Sequence, residues 1–501
     1  MTQNQYDTII IGAGHNGLVA AAYLAKQGKK VLILERRDIV GGQVVTESFD
    51  DGFTVDSLHA GGTLRPDIIK DLGLGTSGKN TRSTRPPFIS LQEDGNHLVL
   101  DPDPAKAAES VKRFSAKDAA NWLPFIEFMK KVTKFIHSAN SKIMPRLPKG
   151  FNLSEGMDLA KLGIDLRMLG GPDMMRIIRG IPMTAEEFVD EWFESDVVKA
   201  AVASLGIYGF TLGVMGAGTG YTLMHNWANR GGLSHVAVQG GIGKITEALA
   251  GAVKSFGGEI RTGAEVERIQ VDTFTCKGVV LKNGEEIPAK NIISAADPKN
   301  TFLTLVGAVN LPPEFVWNVQ SIKMRGSVAK VHLLTDGKHG IPDATIALSP
   351  SIKYLEKAYD AAKYHGVSEK PYLEVTTSEN VVSIHFQYAP YELKDSSWNV
   401  EGSKVEKLAI DTLAEYFPNL KSSIKNTKTL TPQDIEQTYG LTEGDLNHGQ
   451  IMLDQFMFMR PMPGWSNHKT PLDNLYLCGS GVHGGGGVSG ASGRNVIKML
   501  K

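Results

Sequence analysis

Three glycines near the start of the chain have the spacing of a nucleotide-binding loop. Gly12, Gly14 and Gly17 form a GxGxxG pattern, which stands between an apolar run and an alanine-rich segment. In such a loop the first glycine permits a tight turn, the second lets the backbone approach a pyrophosphate, and the third lets a helix pack on the preceding strand. Glu35 ends the next apolar run, where a carboxylate can accept hydrogen bonds from both ribose hydroxyls. An acid there disfavours a 2′-phosphate, so the pattern indicates FAD or NAD rather than NADP.

The elements that must position these residues are visible around them. YDTIII and VLILE have the apolar, β-branched composition of buried strands, and LVAAAYLAKQGKK has the composition of a helix between them. This strand–helix–strand unit directs the N–H groups of the helix N-terminus at the phosphates. A plain βαβ turn without a nucleotide is the alternative.

Two further glycine-rich stretches bear on the choice of nucleotide. Gly41 and Gly42 lie in ERRDIVGGQVVT, directly after the ribose acid, and CGSGVHGGGGVSG lies near the C-terminus. NLYLCG predicts a strand and GVSGASGRNVIKML a helix, so the second stretch joins a strand to a helix through a bare backbone. At a flavin ring, the N–H groups and dipole of that helix can stabilise the anion on N1–C2=O of the reduced form. A flexible glycine linker is the alternative.

Both stretches resemble motifs of the flavoproteins of the amine oxidase and phytoene desaturase superfamily. There the Gly-Gly turn supplies N–H groups to the FAD pyrophosphate, in a motif that most often reads GGR; this chain has Gln43 in place of the arginine. A closer resemblance is to the pyridine nucleotide-disulfide oxidoreductase domain-containing protein 2 family. It is carried by IIGAGHNGLVAAAYLA, VQGGIGKITEALA, NHGQIMLDQFMFMRPMPG and LYLCGSGVHGGGGVSGASGRN, which are spread over nearly the whole chain.

The resemblance implies FAD as the cofactor and extends the predicted site. In the related flavoproteins the backbone of the residue that matches Val266 meets the adenine, and small residues such as Ala295 lie under the cofactor. Either residue could instead be simple sheet core. The predicted FAD site consists of Gly12, Gly14, His15, Asn16, Gly17, Glu35, Arg36, Arg37, Gly41, Gly42, Gln43, Val266, Ala295, Gly479, Ser480, Gly487 and Val488.

The domain organisation follows from where these segments occur. We predict an α/β protein in which residues 1–75, 235–305 and 470–501 form a Rossmann-type, amine oxidase-like FAD-binding domain. Residues 76–234, which look helical and rich in Met, Phe and Trp, and residues 306–469 would form a mixed α+β substrate-binding domain. A pocket lined by Met and aromatic side chains would suit an apolar substrate, although such residues are more often core. LPFIEFMKKVTKFI is amphipathic and basic, so it predicts a packed helix or a membrane-surface helix.

Four side chains are candidates for acid–base work. Lys330, in GSVAKVHLL, resembles the lysine of a GSxxK pattern in flavin amine oxidases, which holds a water against flavin N5; a lysine that points outward from a strand edge is the alternative. His59, His448 and His483 lie near the motifs described above, with packing or loop capping as their alternatives. The histidines show no HxxxH or HExxH spacing, so we predict no metal.

Bulk properties exclude several classes of protein. The 501 residues include 53 basic and 54 acidic ones, so nothing suggests a nucleic-acid surface. Two cysteines without a CxxC pattern exclude disulfide exchange and a zinc ribbon. The polar N-terminal segment MTQNQYDT predicts no signal peptide, and no apolar run is long enough to span a membrane. We expect a cytoplasmic protein, with a peripheral membrane contact and a homodimer left open.

These observations lead to one expected function and three rivals. We expect an FAD-dependent dehydrogenase or desaturase that transfers hydride from an apolar isoprenoid, lipid-like or alicyclic substrate to flavin N5. The electrons would pass to a quinone, O2 or another acceptor. The rivals are an amine oxidase-like enzyme, a carotenoid-type isomerase that uses reduced flavin, and a non-catalytic FAD-holding interaction protein.

Overall fold

The computed structural model describes residues 5–49, 53–77, 83–147, 150 and 153–500. The first four residues of the polar N-terminal segment and Lys501 lie outside the described residues, as do short stretches of the predicted domains. The strands are β1 Tyr6–Ile11, β2 Val31–Leu34, β3 Thr46–Ser48, β4 Thr54–Asp56, β5 Ser83–Thr84, β6 Phe88–Ser90, β7 Leu98–Leu100, β8 Ala237–Val238, β9 Glu259–Arg261, β10 Val266–Asp272, β11 Thr275–Leu281, β12 Glu286–Ser294, β13 Val328–Thr335, β14 Thr345–Ala347, β15 Leu373–Ser378, β16 Val381–Gln387, β17 Ile424–Leu430 and β18 Leu475–Leu477.

The α-helices follow the same chain order. They are α1 His15–Lys26, α2 Pro66–Leu72, α3 Leu74–Ser77, α4 Pro104–Lys112, α5 Ala116–Asn140, α6 Leu153–Arg167, α7 Gly171–Gly180, α8 Ala185–Asp190, α9 Asp196–Ala203, α10 Thr219–Arg230, α11 Gly243–Ser255, α12 Pro313–Gln320, α13 Ile352–Lys363, α14 Trp398–Tyr416, α15 Leu420–Ser423, α16 Pro432–Tyr439 and α17 Ala491–Val496.

The first sheet brings the predicted nucleotide-binding segments to one edge. Its order is β10-β11-β12-β1-β2-β9, and β18 also pairs with β12. Strands β1, β2, β12 and β18 run parallel, with Ile11 beside both Leu34 and Ser294, and Ser294 beside Leu477. The carboxyl ends of these four strands therefore lie side by side, which is where ligands bind in sheets of this kind. The predicted α/β fold class with a Rossmann-type unit is confirmed.

Alanine allows α1 to pack closely over this sheet. Ala20, Ala21 and Ala22 are completely buried, because a helix with small side chains can approach both the strands and its neighbouring helices. On the other side of α1, a Cβ atom at Gly493 in α17 would lie 2.1 Å from the Asn16 carbonyl oxygen. The C-terminal helix thus depends on glycine to reach α1.

The second sheet combines strands from both predicted insertions. Its order is β17-β13-β16-β15-β14-β6-β7, antiparallel except between β14 and β6. A helical layer packs beside it, and a shared apolar core includes Phe88, Phe125, Leu223 and Tyr388. The division into two domains stays a prediction.

Local differences from the sequence-based expectations have simple causes. The stretch 76–234 is mainly helical but also supplies β5, β6 and β7, which are too short to give a clear alternating pattern. The predicted C-terminal helix begins only at Ala491, because Gly484, Gly486, Gly487 and Gly490 all have positive φ values. Helix α5 is a packed helix, whose Phe125, Phe128 and Val132 are buried. In the described part of the chain, no helix is long and apolar enough to cross a membrane.

Candidate active site

A cavity of about 720 Å³ opens at the carboxyl edge of the first sheet. Most of the predicted cofactor residues line this main cavity, namely Gly12, Gly14, His15, Asn16, Gly17, Glu35, Arg36, Arg37, Gly42, Gln43, Val266, Ala295, Gly479 and Ser480. Gly41, Gly487 and Val488 lie behind its wall. Gly41 pairs with Gly14, His15 makes a hydrogen bond to the backbone of Gly487, and Val488 packs in a small cluster with Val44 and Ile242.

The three glycines of the first loop have different structural requirements. Gly12 adopts φ +96°, a conformation that other residues rarely take. A Cβ atom on Gly17 would lie 2.2 Å from the carbonyl oxygen of Gly12, so α1 could not start so close to β1 with any other residue there. A Cβ atom on Gly14 would meet no heavy atom within 4 Å, so the protein leaves open space beside this backbone.

The Gly-Gly turn packs directly on that loop. The Gly41 N–H donates to the Ala13 carbonyl at 3.0 Å, and a Cβ atom on Gly42 would come within 3.2 Å of the Gly14 Cα. Both Gly41 and Gly42 have positive φ values, of +129° and +58°. The two bare segments therefore form one backbone-lined wall of the cavity.

Backbone donors hold the Glu35 carboxylate at the end of β2. Its Oε2 accepts from the Ala13 N–H at 2.8 Å and its Oε1 from the Arg37 N–H at 3.0 Å. The two following arginines are engaged elsewhere. Arg36 donates to the carbonyl groups of Gln437 and Thr438 at 2.8 Å each, whereas Arg37 forms an ion pair with Glu47. Arg36 and Arg37 thus connect the ribose side of the cavity to α16 and to β3, respectively.

The residues present fit a bound FAD. The Nε2 of His15, the Nδ1 of His448 and one terminal nitrogen of Arg37 are buried without a hydrogen-bond partner, and all three residues line the cavity. Leaving such atoms unpaired is costly, so a polar ligand is expected to satisfy them. The N-terminus of α1 has no side-chain cap, which leaves its N–H groups for phosphates.

The candidate histidines occupy different places. His448 lines the main cavity close to His15, and burial lowers the pKa of each ring to about 4. His59 reaches the cavity wall through its Nε2, which lies 3.2 Å from Gln43 Oε1. His483 does not line the cavity; its Nε2 is hydrogen-bonded to the Ala139 carbonyl at 3.0 Å.

Lys330 points into the protein from the middle of β13. Its side chain is 5% exposed, and the residue lies directly opposite His385 on the neighbouring antiparallel strand β16. Its neighbourhood contains a second cavity of about 10 Å³, called the lysine cavity below, which His235, His332 and Glu374 also line. Burial lowers the pKa of Lys330 to about 7, although Glu374 opposes this shift. Its charge in turn helps to lower the pKa of His59 and of His332.

Sequence reasoning missed the charged cluster behind Lys330. Arg230 donates two hydrogen bonds to Glu374, at 2.9 and 3.0 Å, and His235 Nε2 lies 2.6 Å from the same carboxylate. Burial alone would raise the pKa of Glu374, but Arg230 and His235 hold this pKa well below its usual value. Tyr208 stacks on His385 with ring centroids 4.0 Å apart. The available signal was a charged residue between Leu373 and Val375 in β15, similar to Lys330 among apolar residues in β13.

Residues 17–494 match the family model described as flavin containing amine oxidoreductase. The chain belongs to this family. It is an FAD-dependent oxidoreductase, and the predicted cofactor and superfamily are confirmed. Among the described residues, no group of three or more His, Cys, Asp and Glu side chains could hold a metal ion.

Individual relatives cover almost the whole chain. The pyridine nucleotide-disulfide oxidoreductase domain-containing protein 2 of Rattus norvegicus is 32% identical, over 99% of this chain and 93% of its own. A limonene dehydrogenase subunit of Castellaniella defragrans is 27% identical, over 99% and 94%. Phytoene desaturases of Paracoccus and Pantoea match as well, which confirms the resemblance to that group. A solved putrescine oxidase variant shares the fold, with a TM-score of 0.60 and 14% identity over 99% of this chain and 98% of that chain.

Proposed function

We propose that this oxidoreductase dehydrogenates an apolar substrate of the isoprenoid, lipid-like or alicyclic class, and that Lys330 accepts the proton. The observation that carries the proposal is the buried amine of Lys330 with a pKa of about 7. An ordinary lysine is protonated at neutral pH, whereas this one is neutral in a large fraction of molecules and can act as a base.

The position of Lys330 supports this role. The lysine cavity is large enough for about one water molecule, which can relay a proton between groups on its wall. His59 connects the surroundings of Lys330 to Gln43 in the wall of the main cavity. Within the described part of the chain, the Lys330 amine has no hydrogen-bond or ion-pair partner that would occupy it.

The substrate class is supported by relatives of the chain. A limonene dehydrogenase subunit and phytoene desaturases are similar over nearly the whole chain.

The reaction balances as a removal of two hydrogens from adjacent carbons. Bound FAD supplies the acceptor of the hydride. The neighbouring carbon loses its proton to the neutral amine of Lys330 through a water molecule in the lysine cavity, and the electron pair left behind forms the double bond. The electrons finally pass to a quinone or O2. The closed walls around Lys330 and His385 keep bulk water out.

A Lys330→Met variant of the FAD-loaded protein tests the role of the lysine. With a substrate that reduces the wild-type flavin, we expect the variant to be slower by about 100-fold or more, because general bases contribute roughly 100- to 10,000-fold. The wild-type rate should rise with pH up to about the lysine pKa of 7, whereas the residual rate of the variant should not. Lys428→Met, on an exposed lysine of β17, is the matched control and should leave the rate unchanged. Equal rates in wild type and Lys330→Met would refute this role.

An amine oxidase-like reaction is the second candidate. It is favoured by the aromatic and charged wall beside Lys330, where Tyr208 stacks on His385 and the Arg230 guanidinium lies 3.8 Å from the Tyr208 ring centroid. Such a wall suits a polar substrate better than a hydrocarbon. Flavin reduction by primary amines, but not by hydrocarbons, would select this candidate.

The finer assignments of the site belong to the same proposal. We propose that residues 1–75, 235–305 and 470–501 form the FAD-binding domain and that the two remaining segments form the substrate-binding domain. A cytoplasmic location is supported by Cys276 and Cys478, which are both unpaired thiols as in reducing compartments.

A further inference from the structure

Helix α6 exposes a row of large apolar side chains. Leu153, Met157 and Ile164 are 82, 51 and 59% exposed, and Met168, just after the helix, is 79% exposed. At about 100° per residue, these four side chains lie within about 60° of one another around the helix axis, and so on one face of the helix. The opposite face contains Leu162, which is buried in the core. A helix that is apolar on two sides is expected to be covered on both.

Helix α7 extends this apolar surface. It contacts α6 and exposes Met175 and Ile178, at 49 and 44%. About half of the exposed large apolar side chains in the described part of the chain lie between residues 147 and 178. We call the side chains of Leu153, Met157, Ile164, Met168, Met175 and Ile178 the α6–α7 patch. Such clustering marks an interaction surface, whereas single exposed apolar residues do not.

The charge around the patch identifies the kind of partner. Helices α6 and α7 together contain four Lys and Arg against four Asp and Glu, so the positive charge beside the patch comes from individual unpaired side chains. Lys161 and Arg167 are exposed on α6 and have no ionic partner among the described residues. An apolar helical face flanked by free cations fits the interface of an anionic bilayer. A second copy fits less well, because a symmetric contact would bring the unpaired Lys161 and Arg167 of both copies into one interface.

We propose that the α6–α7 patch docks this protein on the surface of an anionic lipid bilayer. The apolar side chains enter the interfacial layer, and Lys161 and Arg167 contact the headgroups. The proposal does not depend on the substrate or on the role of Lys330. It assigns membrane contact to α6 and α7 and not to α5, whose apolar face is occupied by the protein core.

Flotation of the FAD-loaded protein with lipid vesicles tests the proposal. We expect binding to vesicles of phosphatidylcholine containing about one-third phosphatidylglycerol, and at least about 10-fold weaker binding to phosphatidylcholine alone. Raising the salt concentration from about 0.1 M to about 0.5 M should weaken the binding, because the headgroup contacts are screened.

Two sets of variants locate the contact. Ile164→Glu with Met168→Glu should lower vesicle binding at least about 10-fold, since each substitution places a charge in the apolar layer and adds repulsion. Lys161→Glu with Arg167→Glu should lower only the binding to anionic vesicles. Val309→Glu with Trp317→Glu is the control; these two residues are 91 and 68% exposed and lie outside the α6–α7 patch, so the variant should bind vesicles like the wild type. The flavin-to-protein absorbance ratio verifies that each variant is folded.

Three results would overturn the proposal. The first is a wild-type protein that binds neither kind of vesicle. The second is an equal loss of binding in the patch variants and in the Val309→Glu, Trp317→Glu control. The third is a wild-type dimer in light scattering that the patch variants convert to a monomer, which would identify a second copy as the occupant.

Discussion

Replacing Gly14 by alanine should separate cofactor binding from folding. Gly14 has φ −66° and ψ 165°, which alanine adopts without strain, and its added Cβ atom would meet no heavy atom of the protein within 4 Å. The space that the methyl group would fill lies beside the backbone that a pyrophosphate approaches. The FAD-free protein should therefore keep its stability when Gly14 is replaced by alanine, whereas the binding of FAD should weaken.

Typical free energies for such replacements give the expected changes in stability and in FAD affinity. Glycine-to-alanine replacement at a compatible conformation stabilises by about 0.4–1 kcal/mol, which the poorer capping by alanine partly offsets. We expect the free energy of unfolding of the FAD-free protein to stay within about 1 kcal/mol of wild type. Overpacking against the pyrophosphate costs about 1–3 kcal/mol, which weakens FAD binding about 5- to 150-fold.

Gly17→Ala is the matched control. Its Cβ atom would lie 2.2 Å from the Gly12 carbonyl oxygen, so this variant should lose stability even without FAD. Titration of the FAD-free proteins with FAD, followed by flavin fluorescence, and their unfolding in urea give the two quantities. Wild-type FAD affinity in Gly14→Ala, or a loss of stability as large as in Gly17→Ala, would refute the assignment of this loop.

Two further predictions concern stability. Glu374→Gln should lower the free energy of unfolding, measured in urea, by about 3 kcal/mol, because it leaves Arg230 buried without its counter-charge. Glu194→Gln, which removes a charge from an exposed pair with Lys117, is the control and should change the free energy of unfolding little. An equally small effect of Glu374→Gln would contradict the role of Glu374 as the counter-charge of Arg230. Stability should also fall steeply as the pH drops from about 6.5 towards 4, because unfolded histidines take up protons in this range and buried neutral ones do not. Each such histidine lowers the free energy of unfolding by up to about 1.4 kcal/mol for each pH unit of acidification. A free energy of unfolding that does not change over this pH range in urea titrations would be inconsistent with burial of the neutral rings. Burial lowers the pKa to about 3 or 4 for His225, His235, His332, His448, His468 and His483.

The cofactor-binding edge could be predicted because its determinants are local. The glycines of the first loop, Glu35 and the Gly-Gly turn each impose a backbone conformation or a strand end within a few residues of themselves. The alignment of Ile11, Leu34 and Ser294 at one edge then follows from the parallel pairing of the strands. Even so, the sequence does not show that the guanidinium of Arg36 is held by the carbonyl groups of α16.

The surroundings of Lys330 could not be predicted in the same way. Glu374 and His385 lie on the hairpin β15–β16, and the register of that hairpin against β13, about 40 residues earlier in sequence, makes Lys330 their neighbour. Arg230 comes from the end of a helix in the other insertion, so no local pattern connects it to Glu374. The late start of α17 was missed for a different reason, since glycines with positive φ interrupt a helical pattern that the side chains alone would suggest.

Anaerobic reduction of the bound flavin tests the central claim most directly. The visible absorbance of the FAD-loaded protein would be followed after addition of isoprenoid and alicyclic hydrocarbons, primary amines, NADH or NADPH, each alone. We predict that at least one hydrocarbon bleaches the flavin and that the nicotinamides do not. Bleaching by NADH or NADPH, with no response to any hydrocarbon, would contradict a substrate-driven dehydrogenase.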